Sequence, residues 1–188
     1  MTRRVPVPKR ALAKAGEKAG GRRSARRDVE ILATLLVAYP QVSRVTFDPE
    51  KKTLGLVFLC QGPTGSRRRA ALSRAYKDSV EVYLRLSSRT PSVLNASWEK
   101  MGDFYCFQIE RDVASLSPEE LNVAVDLVSE RARPVPAGDE VEMPDSSEEC
   151  AWPARLFLQE MLEQVKDLQG SRKLVALREG ERVLVFDK

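Results

Sequence analysis

The run from Leu54 to Cys60 constrains this chain more than any other stretch. Leu54, Leu56, Val57, Phe58 and Leu59 leave almost no polar side chain for water. Near-continuous apolarity of this kind marks a strand at the centre of a sheet, buried on both faces. A first strand, Arg44 to Phe47 with Val42, Val45 and Phe47 as its apolar positions, precedes it. Between them, Asp48-Pro49-Glu50-Lys51-Lys52 is a turn by composition, because proline presets its backbone angle and aspartate caps its own turn. After Cys60 a glycine-bearing loop, Gln61-Gly62-Pro63-Thr64-Gly65, delivers Ser66 and the triplet Arg67-Arg68-Arg69 into a helix.

The same arrangement, a helix and then a hairpin, occurs three times. The first helix is predicted from an N-cap at Asp28 through Ile31, Leu32, Leu35, Leu36 and Tyr39 to Pro40. The second runs from Ser66 to about Ser88 with Leu72, Ala75, Tyr76, Val80 and Tyr83 on one face. Residues 79–87 also admit a strand, since Val80, Val82, Leu84 and Leu86 alternate, but Asp78 and Ser79 are poor turn signals without glycine or proline. A second hairpin, Val93 to Lys100 and Phe104 to Glu110, turns at Met101-Gly102-Asp103. Ser117-Pro118-Glu119-Glu120 starts a further helix, with Ser117 as N-cap, Pro118 at N1 and Glu120 placed to complete a capping box. Pro134 and Pro136 end it. A last helix, Trp152 to Gln169, leads into a third hairpin, Lys173 to Arg178 and Arg182 to Phe186.

The expected fold is therefore α+β, in the order α-ββ-α-ββ-α-α-ββ. It is a mainly antiparallel sheet built from three β-hairpins with helices packed on one face, whether the hairpins join into one sheet or two. Four regions are expected: a disordered basic arm over 1–27, an α+β core over 28–133, an acidic proline-containing linker over 134–151, and a C-terminal helix plus hairpin over 152–188 packed on that core. Covering one face only leaves the other for a partner.

The charge is unevenly divided. Residues 1–27 hold ten lysines and arginines against Glu17, a net +9, whereas the whole chain carries +4, so the body is left at −5. Among the ten, Arg22, Arg23, Arg26 and Arg27 are the candidates for meeting a polyanion, where each phosphate neutralised releases a counterion. No aromatic side chain lies in the arm to stack on bases, so contact there is sequence-independent.

The chain has no histidine at all, which removes Ser-His and Cys-His catalysis and histidine-based metal sites. Cys60, Cys106 and Cys150 show neither a disulfide framework nor zinc spacing. No apolar run approaches the length of a membrane span, and the expected setting is a reducing cytoplasm with no membrane contact, no cofactor and no metal.

One stretch combines a strand end, glycines, a hydroxyl and clustered arginines. Gly62, Thr64, Gly65, Ser66, Arg67, Arg68 and Arg69 are the anion- or phosphate-binding candidates, because amides at a strand-to-helix turn and a helix N-terminus favour negative charge and arginine pairs with phosphate. Arg74 and Lys77 would extend the triplet into a basic stripe. It is no P-loop, since Gly62 and Gly65 are too close and no lysine follows. It also misses a phosphatase-type loop, because Ser66 stands where that arginine would be relative to Cys60. No catalytic residue is assigned. The leading expectation is a non-enzymatic binding or adaptor protein contacting nucleic acid or another polyanion through the arm and this turn. The alternative is a protein–protein assembly module, including a homo-oligomer, and an enzyme acting on a phosphorylated small molecule comes third.

Overall fold

The computed structural model describes residues 19–62, 65–135, 159–166, 173–179 and 182–187, with side chains from Val29 onward. Helix α1 (Ala19–Ala38) leads into the hairpin β1 (Arg44–Asp48) and β2 (Thr53–Cys60). Helix α2 (Ser66–Leu86) is followed by β3 (Leu94–Met101), β4 (Phe104–Asp112) and α3 (Pro118–Ala132). Residues 159–166 are helical and form α4; β5 (Leu174–Glu179) and β6 (Arg182–Asp187) close the chain.

All three hairpins join one six-stranded sheet, ordered β3-β4-β2-β1-β5-β6 and antiparallel throughout. Strand β2 is central, as its apolarity predicts, paired with β1 on one side and β4 on the other. As expected, neither face of β2 is exposed, but the two faces differ in what covers them. Leu54, Leu56, Phe58 and Cys60 lie beneath the helices in the main core, whereas Thr53, Gly55, Val57 and Leu59 face the side that no described helix covers, called the uncovered face below. Thr53 and Val57 are buried there, and Gly55 and Leu59 are half-buried.

Register explains which face is covered. Val45 opposes Leu56, which opposes Ile109, and Phe58 opposes Phe107, which opposes Trp98, so these side chains share a face. Phe107 is the aromatic centre: its ring centroid is 4.7 Å from Trp98, 6.3 Å from Phe58 and 6.2 Å from Tyr76, the last edge-on. Helix α1 packs on β1, β5 and β6, while α2 packs on β3 and α3. Met161, Leu162 and Val165 of α4 join the same core.

Two helices repay comparison with the sequence. Of residues 79–87, all but the C-cap Ser87 are helical: Val80 and Leu84 are buried one turn apart, while Val82 and Leu86 are exposed. Helix α1 begins at Ala19, so the expected start at Asp28 is corrected, and the expected arm over 1–27 divides. Residues 1–18 lie outside the described residues, and 19–27 are helical. Alanine and arginine are strong helix formers, so an aspartate inside their run does not stop it. Of the expected linker over 134–151, residues 136–151 also lie outside the described residues, but the first two do not: Pro134 bridges to Cys60, and the Val135 amide donates to the Leu59 carbonyl at 2.7 Å.

Candidate anion-binding cleft

The loop after β2 closes against the C-terminus of α3. The amides of Gln61 and Gly62 donate to the carbonyls of Arg133 and Ala132 at 3.3 and 3.4 Å. They satisfy the orphan carbonyls that every helix end leaves. Those amides are consequently committed to the fold, and Gly62 enters the candidate site only as part of the cleft lining. Thr64 lies outside the described residues. Gly65 is the N-cap of α2, has no side chain with which to cap it, and accepts the Arg68 and Arg69 amides at its carbonyl, each at 3.1 Å. Ser66 is exposed at the first helical position.

The arginine triplet separates around α2 because successive helical positions differ by about 100°. Arg67 is exposed on the outward side. Arg69 turns inward and stacks its guanidinium 4.3 Å over the Tyr105 ring, while its carbonyl accepts the Trp98 indole N–H at 3.0 Å. That residue holds the first turn of α2 on the sheet. Arg68 points towards α3. The expected continuous stripe with Arg74 and Lys77 is thereby divided.

What the turn does border is a cleft of about 680 Å³ between α2 and α3, lined by Gln61, Gly62, Arg68, Glu130, Arg131 and Arg133 among others. Arg131 and Arg133 arrive from the end of α3, more than sixty positions beyond Arg68 in the chain. Sequence reasoning missed both; the only local signal was Pro134, which places a helix end at Arg133. Arg133 caps α3 in the left-handed region at φ 48°. Among the described residues, neither the Arg68 nor the Arg133 guanidinium has a hydrogen-bond or ion-pair partner. Arg131 sits 3.6 Å from Glu130, with both side chains at least half exposed.

Cys60 is no nucleophile in this setting. It is buried in the core, its thiol donates towards the Phe58 carbonyl, and burial pushes its pKa up to about 12, the opposite of an activated thiolate.

A second concavity, about 570 Å³, crosses the uncovered face of the sheet where Gly55 contributes no side chain. Arg44, Thr46, Val57, Gln108, Glu110 and Phe186 are among its lining residues. The Glu110 carboxylate accepts from Thr53 and Asn95, and Gln108 donates to Glu99 at 2.7 Å, so most of its polar groups are satisfied locally. No helix among the described residues is long and apolar enough to cross a membrane. No protein-family model, curated protein or solved structure matches this chain.

Proposed function

We propose that this chain is a non-enzymatic binding protein that contacts nucleic acid or another polyanion through the basic positions at the start of α1. The observation carrying this reading is the helical backbone over 19–38. Positions 22, 23, 26 and 27 fall within an arc of roughly 140° on that helix, on the side opposite the positions of Ile31, Leu32, Leu35 and Leu36. Those four apolar residues are buried against the sheet. Four arginine positions on the arc opposite the buried stripe of a helix anchored by its other end make a row suited to successive phosphates. The Gly62–Arg69 turn enters this reading through Arg67 and Arg68.

The test is binding of the full chain to a labelled oligonucleotide across a salt series, beside the variant with Arg22, Arg23, Arg26 and Arg27 all changed to glutamine. Glutamine keeps helix propensity and removes charge. The variant should lose about three to four units of log–log salt slope on duplex DNA, near 0.9 per phosphate. An unchanged slope would sink the reading.

The uncovered sheet face favours a second reading, a protein–protein module. Leu59, Val175, Leu177, Leu184 and Phe186 share that face by register, with Phe186 51% exposed. Self-association in sedimentation equilibrium that Phe186→Asp abolishes supports this reading, and a monomer at every concentration with no partner captured on the face opposes it.

A further inference from the structure

We propose that the cleft between the first turn of α2 and the C-terminus of α3 is a second contact for the same polyanion, gripping a phosphodiester backbone with Arg68, Arg131 and Arg133. This rests on the polyanion reading above and names the part of the folded body that shares in it.

Four observations converge on the cleft. Among the described residues three guanidiniums line it against one carboxylate, Glu130, a net positive lining on a body whose charge from residue 28 onward is −5. The α2 terminus facing it carries no acid in its first turn and no side-chain cap, so the positive end of the helix dipole is not neutralised. Arg131 is held by Glu130 only through a long, solvent-exposed pair, weak enough to yield to a phosphate. Arg133 occupies a left-handed C-cap, a position that glycine fills at least strain, and it keeps its charged side chain there over the mouth of the cleft.

The chemistry selects a backbone over a base or a small metabolite. Among the described residues no aromatic side chain lines the cleft, so they offer nothing for a base to stack upon. Arg68, Arg131 and Arg133 are all exposed, whereas a site for a phosphorylated metabolite encloses most of its ligand. Exposed arginines on either side of an open cleft suit a chain of phosphates passing through it, each paired with a guanidinium.

The full chain is titrated with a labelled single-stranded oligonucleotide across a salt series, beside Arg68→Gln/Arg133→Gly and, as a control, Arg44→Gln/Arg182→Gln on the uncovered sheet face. Arg133→Gly relieves the left-handed position, so loss of binding there does not arise from loss of fold; Arg68→Gln/Arg131→Gln repeats the test without touching the backbone. The cleft variants should lose roughly 1.4 units of log–log slope, about 0.7 for each of two contacts, and the control should keep the wild-type slope. Wild-type slope in both cleft variants, with the α1 glutamine variant still defective, overturns the cleft and leaves the polyanion reading standing. Equal loss in the control also overturns it, since net charge alone then explains the effect. No binding by the wild type at low salt overturns both. Inorganic phosphate is added in parallel at constant ionic strength: thermal protection by phosphate without oligonucleotide binding assigns the arginines to free phosphate and rejects the backbone.

Discussion

The Arg111 guanidinium and the Glu120 carboxylate face each other at 1% exposure each, joined through Nε to Oε1 and through Nη2 to Oε2, the latter at 2.9 Å. Arg111 lies on the covered face of β4 and Glu120 in the first turn of α3, so the pair bolts the helix to the sheet. The remaining donors of Arg111 reach the Val93 carbonyl, Asp112 and Ser115, and the Tyr76 hydroxyl donates to Glu120 at 3.4 Å. Burial works against the guanidinium charge, but the hydrogen bonds and charges of Glu120 and Asp112 outweigh it and hold the arginine protonated. Burial likewise pushes the Tyr76 phenol up, and the Glu120 charge adds to it, so it stays a donor.

Removing one partner of such a pair leaves the other charged and desolvated. Glu120→Ala should therefore cost about 3–5 kcal/mol in urea unfolding, whereas Arg111→Met/Glu120→Leu, which removes both charges, should recover part of that loss. A cost below about 1 kcal/mol for the single variant would show that water reaches the guanidinium.

Acid should attack the same network through Asp112. Burial disfavours its charge, but the Ser115 hydroxyl at 2.6 Å, the Val93 amide at 3.1 Å and the Arg111 guanidinium together hold its carboxyl below the usual range. As pH falls, the unfolded chain takes up this proton first. The stabilisation is thus whole above the unfolded value, about 3.9, and is lost as pH drops towards and through the lower folded value. Urea midpoints measured from neutral pH downwards should fall more steeply below about pH 4 in the wild type than in Asp112→Asn. Parallel curves would contradict the assignment.

Much of this fold was legible because it follows periodicity. The apolar run of β2 announced a central strand, and Ser117 announced its helix: its hydroxyl accepts the Glu120 amide at 3.3 Å. The expected capping box is corrected at its other half, since the Glu120 side chain goes to Arg111. Nothing local could reveal that, because a charged residue in an alternating strand reads as an exposed one until its partner, nine positions away, folds over it. The pairing of β4 with β2 across α2 was equally hidden, since strand order depends on which hairpin edge the crossover helix leaves free. In the candidate cleft the sequence named Arg68 among its candidates, and the structure places it in the lining. The sequence could not show that Arg69 is spent on Tyr105, or that the end of α3 brings Arg131 and Arg133 alongside.

Two glycines should respond to alanine with opposite signs. A Cβ at Gly55, in the middle of β2, would lie 3.6 Å from the Thr46 Cβ and 3.7 Å from the Thr46 carbonyl oxygen, both ordinary contacts. The backbone there is extended, so Gly55→Ala removes only the extra freedom of the unfolded chain and should stabilise by about 0.5–1 kcal/mol. Gly102, in the β3–β4 turn, has open space around it but sits at φ 61°, where an alanine Cβ crowds its own carbonyl. Gly102→Ala should cost about 1–2 kcal/mol despite the room available. Urea midpoints for the two variants check both signs at once. If Gly55→Ala also destabilises, the extended strand with room above it is wrong at the centre of the sheet, and the concavity on its uncovered face is smaller than the structure draws it.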